Sequence, residues 1–296
     1  MTTGAQALRH HASGVADALD AVVTTMWADV VTRDLLGIVA SCGATTAEVL
    51  HVDPLPAPDG DRDGSTIDDD AVRRFAEQAG VDVASVSPDQ RAAFLAAAGD
   101  RAGTLAAALW VVEFVPRTRS ALDALFGSGP WPATAGEPVP GGVWAALDQL
   151  IRAVPALDAL DPVTSELVRL RGARQHDCRL CRSLRARSAL RAGATEQDFE
   201  AVDHYADSDL TPLQVAALAF TDAMIWTPGH MDPAAVEAMR ATATPAQQVE
   251  LVLDVTRNAL NKIAVALGAD AAHVDEGIEI YDVTPDGSLV YGLDPE

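Results

Sequence analysis

The run Ser165-Glu166-Leu167-Val168-Arg169-Leu170-Arg171-Gly172-Ala173-Arg174-Gln175-His176-Asp177-Cys178-Arg179-Leu180-Cys181 decides how this chain is read. Just upstream, Asp161-Pro162 has the form of a helix start. Proline sits near the first turn, and Val163, Leu167 and Leu170 follow at helical spacing. The helix is expected to break near Gly172, with Glu166 on one wall. A second helix then opens at the cysteines, with Asp177 as its N-cap.

That arrangement has chemical consequences. A thiol in the first turn of a helix feels the positive end of the dipole, which favours thiolate. Arg179, Arg182, Arg185 and Arg187 are expected to crowd the same turn or two and would act in the same direction. Two cysteines three residues apart on one helix can close a disulfide, so the first can attack and the second resolve. A buried glutamate opposite them can accept or relay a proton. Two other readings stay open. One is a metal site, although a structural tetrahedral site needs four ligands and the chain has no second CxxC and no HxxxH. The other is a pair of ordinary core cysteines.

Outward from this run, further helices are expected. Thr211-Pro212 opens one through Val215, Leu218, Ala219 and Met224. Thr244-Pro245 opens another through Val249, Leu253 and Leu260. No comparable strand pattern precedes residue 277. Ile278 to Val283 then alternates, Thr284-Pro285-Asp286-Gly287 supplies a turn, and Ser288 to Tyr291 follows, so a short hairpin is expected. A lone hairpin is only marginally stable, so it should pack on the domain or on another subunit.

Residues 127–143 hold four prolines and five glycines and cannot continue a helix. They separate two halves that resemble each other distantly. Val31-Thr32-Arg33-Asp34-Leu35-Leu36 echoes 163–168, and Thr118-Arg119-Ser120-Ala121-Leu122 echoes Thr256-Arg257-Asn258-Ala259-Leu260. An internal duplication is the expectation, with Thr46 and Val49 standing where the cysteines would fall. The division expected is a degenerate helical repeat over 1–128, a linker over 129–143, a CxxC-bearing helical domain over 144–270 and a tail over 271–296.

Composition narrows the function classes. The 296 residues are 49% hydrophobic and only 5% aromatic, rich in Ala and Leu, which favours helices. A formal net charge of −22 argues against nucleic acid and against anionic membrane surfaces. No run of about 18 uninterrupted apolar residues is present, so no span is expected. Met1 to Val15 carries Arg9, His10 and His11 without an apolar core, so no secretory leader is expected. Three cysteines, an odd number in a long chain, fit a reducing compartment, and the chain is expected to be cytoplasmic. In the acidic run 59–70, Asp59, Asp61, Asp63 and Gly64 resemble the start of a calcium loop. The apolar residue falls one place late and Asp70 stands for the usual Glu, so a solvated loop is the preferred reading.

Glutamate, eleven residues, then CxxC resembles the signature of the alkylhydroperoxidase D branch of the carboxymuconolactone decarboxylase superfamily. Glu166 to Arg171 is similar to the helix before the site in that family, and Asn258 to Leu267 to its closing helix. The resemblance covers roughly 144–270. It implies an all-α, alkylhydroperoxidase D-like bundle, and a cysteine pair that reduces peroxides or disulfides while a glutamate and a histidine relay protons. Glu166, Cys178 and Cys181 match position by position. The histidine expected four residues after the second cysteine is here Arg185, which cannot carry a proton near neutral pH but can hold a thiolate or an anion. His176, His204 or His230 would have to substitute in space.

The function expected is a cysteine-dependent peroxidase or thiol–disulfide oxidoreductase needing no bound cofactor. A small peroxide or disulfide is its substrate and a thiol its electron donor. The alternatives are a non-redox enzyme, decarboxylase- or lyase-like, acting on an anionic small molecule near Arg185, and a non-catalytic helical assembly module. By resemblance the subunits form a dimer or trimer. Glu166 is expected to pair with Arg185 in one pocket with the cysteines.

Overall fold

The computed structural model describes residues 2–60, 69–134 and 136–295. The first half forms α1 (Gly4–His11), α2 (Ser13–Thr32), α3 (Leu36–Leu50), α4 (Asp69–Val81), α5 (Pro88–Ala98) and α6 (Ala102–Phe126). The second forms α7 (Val143–Ala153), α8 (Pro162–Gln175) and α9 (Arg179–Ser183), then strand β1 (Leu184–Ala186). It continues with α10 (Arg187–Arg191), α11 (Glu196–Glu200), α12 (Pro212–Trp226), α13 (Pro233–Thr242), α14 (Pro245–Asn258) and α15 (Asn261–Leu267). Strands β2 (Glu279–Val283) and β3 (Leu289–Leu293) close the chain. The fold is helical, as the sequence predicts.

Local sequence sets the helix starts. Capping boxes at Thr211/Gln214 and Thr244/Gln247 fix α12 and α14, each with proline in the first turn, where the missing N–H costs nothing. Helix α6 is the buried axis, with every side chain from Leu105 to Thr118 inside. By length and hydropathy the 88–126 stretch passes for a membrane span. In the fold it is broken at residues 99–101, and α6 carries Glu113 and Arg117 into a core shared with both halves. Thr118 and Thr256, at matching positions in the two echoing segments, meet hydroxyl to hydroxyl at 2.8 Å. The other echo has no common conformation: 31–36 crosses the end of α2 and a left-handed turn at Asp34, whereas 163–168 lies inside α8.

Two expectations near the cysteines are corrected. Helix α8 runs through Gly172 to Gln175. Helix α9 stops at Ser183, and the next three residues are extended because they pair with the C-terminal chain. Strand β1 is parallel to β2, with Leu184 opposite Glu279 and Ala186 opposite Tyr281, and β2 is antiparallel to β3. The hairpin is therefore part of a three-stranded sheet. Its turn uses Gly287 at φ +80°, where a Cβ would meet the Arg152 carbonyl oxygen at 2.4 Å, so glycine is required on both counts. The sheet carries Tyr281 into a small second core with Leu167, Leu170, Phe199 and Leu218.

Candidate active site

Helix α8 places Glu166. Asp161 caps it, accepting the amides of Val163 and Thr164 at 3.1 and 3.0 Å. Five residues on, Glu166 faces inward at 2% exposure. Four donors converge on its carboxylate: Arg169 Nε and Nη2, both at 2.6 Å, the Ala186 amide at 3.0 Å and the Tyr281 hydroxyl at 3.0 Å. Donors on every side suit an acceptor-only carboxylate.

Glu166 does not pair with Arg185. Because β1 is extended, Arg185 is not one helical turn beyond Cys181. Its guanidinium turns toward α11, bonding Glu196 at 3.1 and 3.2 Å and lying over the Phe199 ring. Arg169 holds the place expected for Arg185. Its fork joins Glu166 to the carbonyls of Cys181 at 2.7 Å and Leu184 at 2.8 Å, so carboxylate, guanidinium and the backbone after the cysteines form one unit. Burial alone would lower the pKa of the Arg169 guanidinium, but the facing Glu166 charge outweighs it and holds the pKa above the ordinary arginine value. Burial, then the same carboxylate, raises Tyr281.

After α8 the chain turns at His176 and at Asp177, which has φ +50°. Cys178, not Asp177, is the N-cap of α9, and its sulfur accepts the Cys181 amide at 3.2 Å. Cys178 and Cys181 form a disulfide with Cα atoms 5.3 Å apart, inside the range expected from their spacing. The arginines around them are each matched by a carboxylate: Arg179 by Asp270, Arg182 by Asp177, Arg185 by Glu196 and Arg187 by Asp282. The simple picture of a cationic crowd at the thiols is thereby corrected. Asp270 also takes the Arg179 amide at 2.9 Å, so it shares the amino end of α9 with Cys178. Burial raises the Asp270 carboxyl, but the Arg179 donors outweigh it and hold it below the usual range.

The two sulfurs differ in access. Cys178 is 1% exposed and Cys181 6%. A cavity of about 110 Å³ reaches Cys181, walled by Arg169, Arg257, Asn258, Leu184 and the hairpin residues Tyr281 and Tyr291. A larger one of about 400 Å³ shares Arg169, Arg257, Asn258 and Tyr281 with it. The larger cavity also holds Glu166, Glu250 and Asp254.

The histidines divide. His176 is buried beside the turn, its Nε2 lacking a hydrogen-bond partner. Burial first, then the charges of Lys262 and Arg117, hold it well below the ordinary range, so it stays neutral. His204 and His230 are exposed, and His230 rests against His51 with ring centroids 4.6 Å apart. Of the calcium-like loop, Asp59 is exposed, while Asp61 and Asp63 lie outside the described residues. Among the described residues no cluster of three or more metal-ligating side chains occurs.

Sequence reasoning missed Arg169, Tyr281, Arg257, Glu250 and Asp254. Arg169 had a signal, since it follows Glu166 by three residues on one helix. Tyr281 had none, being 115 residues away.

Residues 142–223 match the model of the carboxymuconolactone decarboxylase family. Two uncharacterized proteins of Mycobacterium tuberculosis, from strains CDC 1551 / Oshkosh and ATCC 25618 / H37Rv, are each 38% identical over 255 residues, covering 83% of this chain and 89% of the relative. No solved structure matches. The matched segment spans α8, the buried Glu166 and both cysteines, and the chain belongs to the carboxymuconolactone decarboxylase family.

Proposed function

We propose that this protein is a cysteine-dependent oxidoreductase that cycles Cys178 and Cys181 between disulfide and dithiol, with a small peroxide or disulfide as oxidant and a thiol as reductant. The observation that carries this reading is the disulfide at the start of α9, with Cys181, the second cysteine and not the first as the sequence suggested, opening on a cavity. With a peroxide, the Cys181 thiolate attacks the distal oxygen and becomes sulfenic acid, and the alcohol leaves. Cys178 then displaces water and the disulfide closes. One peroxide and two thiols give one alcohol, one water and one disulfide.

In this reading the backbone steadies the resolving sulfur, since the Cys181 amide donates to Cys178 Sγ at the start of α9. Glu166 acts as a positioning residue: it fixes Arg169, and Arg169 fixes the carbonyls of Cys181 and Leu184. The non-redox alternative at Arg185 has less support, because that guanidinium is filled by Glu196 and two backbone carbonyls. The test is peroxide consumption with dithiothreitol as electron donor. Wild type should turn over, and Cys181→Ser and Cys178→Ser should fall to background. Turnover retained in both variants would reject the reading.

A further inference from the structure

The larger cavity beside the disulfide has a charge pattern that the redox chemistry leaves unused. Among its lining groups, Glu166 is matched by Arg169 and Asp282 by Arg187. What remains is Glu250 and Asp254, one helical turn apart on α14, with exposed Asp158 at the rim, against Arg257 alone. Glu250 is 5% exposed and takes the amides of Ala159 and Leu160 on a single oxygen, Oε2, at 2.6 and 3.2 Å. Asp254 is bonded by Ser165, yet its Oδ2 is buried without any hydrogen-bond partner. A buried carboxylate oxygen without a donor is costly. Glu250 and Asp254 both line a cavity large enough for a small organic molecule, with Asp254 Oδ2 just behind its surface.

From this cavity we infer that the reductant of the Cys178–Cys181 disulfide is a small thiol bearing a protonated amine, its ammonium group held by Glu250 and Asp254. The inference rests on the redox reading above and names the electron donor of that site. Its geometry follows from the shared wall. Arg169, Arg257, Asn258 and Tyr281 line both cavities, so the larger one adjoins the space at Cys181. The ammonium end meets the carboxylates, and the thiolate end meets Arg257 and the exposed side of Cys181. Burial together with the Asp254 charge pushes Glu250 up to about 7, and burial pushes Asp254 up to about 6. Two carboxylates this close on one helix face favour a cation between them, and an ammonium ligand supplies it.

The chemistry balances. The thiolate of the aminothiol attacks Cys181 Sγ, the Cys181–Cys178 bond breaks, and Cys178 leaves as thiolate. A second aminothiol thiolate attacks the sulfur of the first, forming the small-molecule disulfide and releasing Cys181 as thiolate. Both protein thiolates then take protons from water. Two electrons pass from two aminothiols to one protein disulfide.

The test uses the oxidised full chain and three probes: cysteamine, 2-mercaptoethanol and 3-mercaptopropionate, which are cationic, neutral and anionic. Reduction is followed by trapping the new protein thiols with iodoacetamide and weighing the product. Rates are expressed per thiolate to remove the differences in thiol acidity. Cysteamine should exceed 3-mercaptopropionate by about tenfold or more, with 2-mercaptoethanol between, as expected for a complementary charged cavity. Glu250→Gln and Asp254→Asn, isosteric changes that remove only charge, should each shrink that ratio, and together bring it to within about twofold. Equal rates for the three thiols in wild type, a reversed order, or a ratio unchanged in the double variant would overturn the inference. If dithiothreitol reduces the wild-type disulfide while the ranking is absent, only this inference fails. If dithiothreitol cannot reduce it, the redox reading fails as well. The wild-type ranking decides the matter even where a variant does not fold.

Discussion

Glu113–Arg117 on α6 and Glu166–Arg169 on α8 are alike in chemistry. Each sets a carboxylate and a guanidinium on one helix face, four or three residues apart, in the buried interior. Their surroundings differ. Arg117 spends its other donors on the carbonyls of Gly80, Met224 and Ile225, and Lys262 closes on Glu113 at 3.1 Å and on the Gly80 carbonyl. That set ties α4, α6, α12 and α15 together. Arg169 spends its donors on the backbone at the cysteines, and its partner Glu166 faces a cavity under a tyrosine hydroxyl. A buried ion pair is thus no mark of chemistry in itself. What separates the two is the neighbouring sulfur and the open space.

The comparison breaks most sharply at Glu113. Glu113→Gln leaves Arg117 and Lys262 as two buried cations without their anion, and should cost about 3–5 kcal/mol of stability, measured by urea unfolding. Its remaining folded fraction should keep the wild-type pH profile of thiol alkylation. A loss below about 1 kcal/mol would show that the carbonyls alone hold Arg117 and Lys262.

Glu166→Gln is the matched change on the other side. Because Arg169 keeps two carbonyl acceptors, the expected loss is smaller, about 1–3 kcal/mol. The alkylation profile should now shift, since Arg169 no longer fixes the backbone after Cys181. An unaltered profile would place Glu166 beside Glu113 as purely structural.

Stability against pH separates the two regions again. Glu250 is raised from 4.5 to about 7 by burial and by Asp254, so the folded state binds the extra proton, and stability falls as pH rises from 4.5 through 7. Lys262 is lowered from 10.5 to about 8, chiefly by burial, so the unfolded state binds the extra proton, and stability rises between pH 8 and 10.5. Glu250→Gln should flatten the first limb and Lys262→Met the second, read from denaturation midpoints across pH. Limbs unchanged by either substitution would contradict these assignments.

The smallest effect belongs to Arg185→His. The guanidinium is held by Glu196 and Phe199, so neither peroxide turnover nor the alkylation profile should change beyond twofold or so. A rise in turnover would mean that a histidine there does reach the sulfurs.

The helical fold, the disulfide and the burial of Glu166 were legible because each depends on local spacing: proline-capped helix starts, cysteines three apart, an inward position on α8. The hairpin was legible for the same reason, through alternation and an Asp-Gly turn. Its docking was not. Strand β1 exists because residues 184–186 pair with a segment some 95 residues later in the chain, and this pairing turns Arg185 away while bringing Tyr281 to Glu166. Long-range pairing of that kind leaves no periodic trace in three residues. Glu250 and Asp254 read as the polar face of an amphipathic helix, and only the cavity against them gives them a different meaning.

The proposed chemistry depends on the redox state of two sulfurs. Protein reduced with dithiothreitol, freed of it, and exposed to one equivalent of hydrogen peroxide should be alkylated under denaturing conditions and weighed, peptide by peptide. Cys178 and Cys181 should lose alkylation together, dithiothreitol should restore both, and Cys42, buried and outside the disulfide, should be labelled equally throughout. Full labelling of Cys178 and Cys181 after peroxide would rule out a redox-active pair.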